Sequence, residues 1–245
     1  VETRRRLREL GIRIGKYETG KGTAGKIGER EGIDISEDGN VSLNLLGACA
    51  VKGKAAVMDR ERLAQYLAPH EPRYQHILGT VRRMESLLPD LDVPPAWRSL
   101  LVQACFLHDI GYSPSLNQYQ FHPLDGAIFA LSQGFAKPVV AAVLYHSGAR
   151  ELADRTRPDL AVSYRENDRF LNKVDRLFID LVTYCDLHTS PTGEAVSLDE
   201  RVGDVVRRYG EEHEVSRTMR LHVPLYEETI ARVRKLMKRD ENQRP

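Results

Sequence analysis

The chain has 245 residues, enough for one large domain or one domain with a smaller appendage. Its formal net charge of +1 argues against nucleic-acid or membrane binding by bulk electrostatics. Cys49, Cys105 and Cys185 lie far apart with no CxxC spacing, which argues against a disulfide scaffold or a thiolate zinc cage and fits a reducing compartment.

Residues 1–57 hold more than half of the glycines and none of the prolines. This stretch is expected to be an appendage, flexible or carrying a small β-hairpin. Gly20–Gly25 lacks the GK[ST] ending of a phosphate loop. Ile33-Asp-Ile and Val41-Ser-Leu-Asn-Leu alternate apolar and polar residues around Glu37-Asp-Gly-Asn40, as a hairpin would. From Met58 the pattern turns helical, and residues 58–240 read as one all-α bundle of seven or more helices. Tyr74, Ile77, Val81, Met84 and Leu88 stripe a helix from Pro72. Pro94-Pro95 opens the next, striped by Trp97, Leu101, Ala104 and Leu107, with Gly111 placed to cap its end. Further helices are expected from His122 to about Gln133, and from Lys137 to Ser147-Gly148. A long one should run from Asn167 to Leu187, with Phe170 on its apolar face. Two more follow, at 198–209 and 216–238. The N-terminus is Arg-rich without an apolar run, and residues 139–145, the longest apolar run, are too short to span a bilayer. The cytoplasm is the expected compartment.

Several polar residues sit where the helical pattern asks for apolar ones. His108 lies eleven residues after Trp97 and seven after Leu101, on the buried stripe, with Asp109 about 100° further round. His146 follows Val139 and Val143, and Asp186 follows Phe178 and Val182, on inward faces. His76 flanks the stripe of its own helix beside Gly79 and Thr80. A carboxylate on a buried face is costly unless it is paired or binds a metal. A nitrogen and oxygen donor set without thiolates suits Fe, Mn, Co, Ni, Zn or Mg. One divalent ion could take His76, His108, Asp109 and Asp186. Asp109 could bridge to a second held by His122 and His146. A His-Asp dipeptide alone carries little information, and a lone inward histidine is more often a satisfied core residue. The constellation gives the metal reading its weight. His70, His188, His213 and His222 read as core or surface histidines.

His76 in His-Ile-Leu-Gly-Thr-Val, Phe106-Leu-His-Asp-Ile-Gly111 and Asp186 in Thr183-Tyr-Cys-Asp follow one another in the order H…HD…D. On these residues the chain resembles the HD superfamily of metal-dependent phosphohydrolases, over about residues 62–190. His122 and His146 sit where members with two or more metals carry added ligands. Hydrolases of symmetrical dinucleoside tetraphosphates share this broad arrangement. Cyclic dinucleotide phosphodiesterases differ, with a His pair where this chain has His146-Ser147 and a GYP motif that it lacks. Many members follow HD-x-G with Lys, where this chain has Tyr112.

The resemblance implies hydrolysis of a phosphoester or phosphoanhydride bond in a small phosphorylated molecule, a nucleotide or dinucleotide, with Asp109 as the catalytic carboxylate. Lys173 is a candidate substrate cation or leaving-group acid. Asp175, eleven residues before Asp186, is a candidate carboxylate supporting the ligands. The alternative is a nucleotide-sensing module with little turnover. The basic segment 232–239 leaves a partner contact conceivable, although a solvated helix face is the plainer reading.

Overall fold

A computed structural model describes residues 33–35, 41–47 and 57–237, and the statements below concern these residues. Strand β1 (Ile33–Ile35) pairs antiparallel with β2 (Val41–Leu43), with Ile33 opposite Leu43. The expected hairpin is present. Gly20–Gly25 and the tip at 37–40 lie outside the described residues.

Eleven α-helices follow. They are α1 (Arg60–Leu63), α2 (Pro72–Leu87), α3 (Pro95–Leu107), α4 (His122–Ser132), α5 (Lys137–Tyr145) and α6 (Ala149–Thr156). Then come α7 (Pro158–Asp168), α8 (Lys173–Leu187), α9 (Leu198–Tyr209), α10 (Glu214–Leu221) and α11 (Val223–Leu236). Proline stands in the first turn of α2, α3, α4, α5, α7 and α11, where its missing N–H costs nothing. In α5 every residue from Val139 to Leu144 is essentially inaccessible. A helix apolar all round belongs at the centre of a bundle, and α5 packs there between α4, α3 and α8. Helix α8 also touches α2, α3 and α11 and ties the bundle together. None of these helices is long and apolar enough to cross a membrane.

Three expected boundaries are corrected. The long helix from Asn167 is two helices, because Asn172 and Asp175 form a reciprocal capping box that starts α8 at Lys173. Phe170 therefore sits in the turn and is exposed. The helix expected over 216–238 is also two, divided at His222 before Pro224. Helix α3 ends at Leu107, and Gly111 lies within a 3-10 turn, Ile110–Tyr112. Gly111 serves close packing instead of capping: a Cβ there would collide with the His122 carbonyl and the Gly126 amide.

The stretch after β1 is joined to the bundle. Leu43, Leu45 and Leu46 are buried in the common core. The Leu46 amide donates to Asn167 Oδ1 at 2.8 Å and the Leu43 amide to Ser163 Oγ at 3.1 Å, both on α7. Looseness is therefore not a property of residues 43–46.

Candidate metal centre

Six side chains from five elements converge. His76 comes from the second turn of α2, His108 and Asp109 directly follow the last residue of α3, and His122 opens α4. His146 follows α5, and Asp186 comes from the last turn of α8. All are buried except His122, whose side chain is 21% exposed.

Three of the rings are oriented by backbone carbonyls. His76 Nδ1 meets Ser190 O at 2.9 Å, His108 Nδ1 meets Cys105 O at 2.7 Å, and His146 Nδ1 meets Val143 O at 2.8 Å. A carbonyl oxygen only accepts, so each Nδ1 carries a hydrogen, and in the neutral ring Nε2 keeps a lone pair. Those Nε2 atoms face other acceptors. His76 Nε2 lies 2.9 Å from Asp186 Oδ1 and 3.4 Å from His108 Nε2. The Nε2 atoms of His122 and His146 lie 3.3 and 3.5 Å from Asp109 Oδ1. Lone pairs this close repel unless a cation or a proton lies between them. Outer hydrogen bonds that fix the ring and leave the inner nitrogen free are characteristic of metal-binding histidines. The donor set therefore fits divalent ions, and forms two groups, His76 with His108 and Asp186, and Asp109 with His122 and His146.

Asp109 joins the groups. Its Oδ1 faces His122 and His146, while its Oδ2 faces His108 at 3.5 Å and His76 at 3.7 Å. Burial would raise its carboxyl, but the Arg73 guanidinium and the neighbouring histidines hold it well below the usual carboxylate range. Asp186 is likewise held low against burial, by the adjoining His76 and Arg201. Burial lowers His108 to about 4 and takes His122 well below its ordinary value, so both rings are neutral at pH 7. His146 is also pushed down by burial, but its contact with Asp109 outweighs this and leaves it raised.

The centre opens into a cavity of about 490 Å³ lined by Asp109, His122, His146 and Asp186, with His76 and His108 behind them. Several residues of its wall escaped sequence reasoning. Arg73 bonds Asp109, and its place three residues before His76 on one helix face was a usable signal. Ser147 adopts a left-handed conformation (φ 52°), and its hydroxyl donates to Asp186. Arg201, whose amino group lies 3.2 Å from Asp186 Oδ1, comes from α9, and no spacing announces it. Tyr112 is stacked on the His122 ring at 4.0 Å, and the Arg73 guanidinium lies 3.9 Å above its other face. A cation thus stands beside the position where lysine is absent.

Two expected contributors lie elsewhere. Lys173 is exposed at the opposite end of α8, thirteen residues from Asp186, or about 20 Å along the axis. Asp175 is buried near that end. It accepts from the Asn172 amide and pairs with Lys137 at 2.6 Å. It starts a helix and does not support the ligands. His70 and His213 are exposed, and His188 is buried with its Nδ1 on Tyr184 O, so the core-or-surface reading holds for these three.

A family model described as HD domain matches residues 73–178, a span holding five of the six side chains, with Asp186 just beyond its end. No curated protein and no solved structure matches the chain. The match and the His/Asp geometry agree: the chain carries an HD domain, the unit of a superfamily of metal-dependent phosphohydrolases.

Proposed function

We propose that the protein is a dinuclear phosphohydrolase that cleaves a phosphoester or phosphoanhydride bond in a small phosphorylated molecule, a nucleotide or dinucleotide. The observation that carries this reading is Asp109, with one oxygen toward each histidine group at the floor of the cavity. His76, His108 and Asp186 would hold one divalent ion, and His122 and His146 the other, with Asp109 between. Iron, manganese, cobalt, nickel, zinc or magnesium bound there would lower the pKa of a water and offset charge on the phosphoryl oxygens. The protein's own part is positional. Neutral His108 and His122 keep their lone pairs available near pH 7. Arg73, beside Asp109, places a fixed positive charge where a phosphoryl group would enter. Nucleic acid is not the expected partner, and the cytoplasm is the proposed setting.

The test is a panel of mononucleotides, dinucleoside polyphosphates and cyclic dinucleotides, assayed with each metal in turn. Turnover that needs metal and disappears in Asp109→Ala supports the proposal. Tight nucleotide binding without turnover under every metal would favour the sensing module.

A further inference from the structure

The HD domain match ends at residue 178, yet part of the cavity wall comes from later in the chain. Helix α9 contributes two arginines, Arg201 and Arg208. They are seven residues apart, two helical turns, so they share one face at a separation of about 10.5 Å along the axis. Arg201 marks the metal end, where its guanidinium bonds Asp186. Its side chain is only 11% exposed, and its Nε is buried without a hydrogen-bond partner. Arg208 lies toward the outer end, 37% exposed, and is held by Asp204 at 2.8 Å through Nε and one amino group. Asp204 also stands 3.9 Å from Arg201. It is not part of the cavity lining, so it can steady both guanidinium groups from outside the space a ligand would fill.

A single phosphoryl group at the metal centre can meet Arg73 and Arg201 but does not reach Arg208, which Asp204 holds at the cavity wall about two helical turns away. Resting on the hydrolase reading above, we infer that the substrate is an oligophosphate, a chain of linked phosphoryl groups laid along α9 from Arg201 to Arg208. Guanidinium groups suit this task because they stay charged and present several donors in a plane to phosphate oxygens. Substrates bearing one phosphate would then be selected against by the loss of the outer contact, without any steric block.

Calorimetry tests this with probes that are not consumed. Orthophosphate and bis-methylene triphosphate, whose bridging carbons resist hydrolysis, are titrated into the full chain at a fixed excess of magnesium. The triphosphate analogue is expected to bind at least tenfold more tightly than orthophosphate. Arg208→Gln should erase most of that gain. Arg201→Gln should weaken both ligands, with Arg201→Lys recovering only part of the affinity. With a cleaved substrate, Arg208→Gln should raise KM more than it lowers kcat. Equal affinity for the two ligands, or an undiminished gain in Arg208→Gln, would overturn the inference while leaving the hydrolase reading intact. An arginine-dependent gain in a protein that hydrolyses nothing would keep the oligophosphate site and remove the enzyme.

Discussion

His76 presents its Nε2 to Asp186 Oδ1 at 2.9 Å while its Nδ1 is committed to the Ser190 carbonyl. The loop carbonyl thus fixes the ring, and its Nε2 lone pair is turned toward Asp186, where the two can share a cation. Replacing either partner should empty the group they form with His108. Asp186→Ala and His76→Ala are expected to lose about one ion per chain by metal analysis, and activity should fall roughly 100-fold or more.

The loop carrying Ser190 owes its place to two glycines. Gly193 has φ +85°, and a Cβ there would strike the Gln75 carbonyl on α2, while a Cβ on Gly79 would strike Gly193. Gly193→Ala is therefore expected to push the loop off α2 and release the His76 Nδ1 bond. Metal affinity should fall roughly 10- to 100-fold, measured by competition with a chelator. Unchanged affinity would mean that Ser190 does not orient the ring.

Proton linkage follows from His108. Its folded value of about 4 lies below its ordinary 6.5, so between those values the unfolded chain binds the extra proton. The stability it contributes is complete above pH 6.5 and is lost as pH falls toward 4. Taken alone it amounts to on the order of 3 kcal/mol. Thermal melts of metal-stripped protein should show Tm falling across this window, and His108→Gln should flatten the fall.

Asp125 tests the support of the second group. Its Oδ1 accepts from the amides of Gln118 and Tyr119, and its Oδ2 from the amide of Phe121. This fastens the segment leading to His122. Asp125→Ala strands three donors and should cost roughly 2–4 kcal/mol by denaturant unfolding, with Asp125→Asn milder. Loss of affinity for one ion should accompany it.

Much of the helical pattern was legible in the sequence because α2, α3, α5 and α9 carry clear stripes or proline starts. Among the candidate ligand positions, His108, His146 and Asp186 were legible as polar residues on inward faces, whereas His76 only flanked a stripe, Asp109 followed His108, and His122 stood at a helix start and entered through the resemblance. What stayed hidden has physical causes. The Asn172/Asp175 capping box overrode an apolar pattern running across the turn, and Pro224 divided α10 from α11. Arg201 and Ser147 meet Asp186 through tertiary contacts that no periodicity encodes. The leucines after β1 looked like a loose tail because their partners, Ser163 and Asn167, lie about 120 residues away.

Those leucines give a stability prediction. A chain beginning at Met58 leaves the sites of Leu43, Leu45 and Leu46 uncovered. It should be less stable by roughly 4–6 kcal/mol, from three buried leucines with a compact unfolded state allowed for. Asn167→Ala should reproduce part of this loss. An unfolding midpoint equal to the full chain's would show that residues 43–46 add nothing.

Whether Asp109 is shared between two metal ions is read by metal stoichiometry, measured by mass spectrometry on wild-type and Asp109→Ala protein, each loaded and desalted. Two ions per chain are expected in the wild type, fewer than one in Asp109→Ala, with phosphohydrolase activity lost along with the ions. Two ions retained with activity intact in Asp109→Ala, or no ion bound by the wild type under any metal, would contradict the shared role of Asp109.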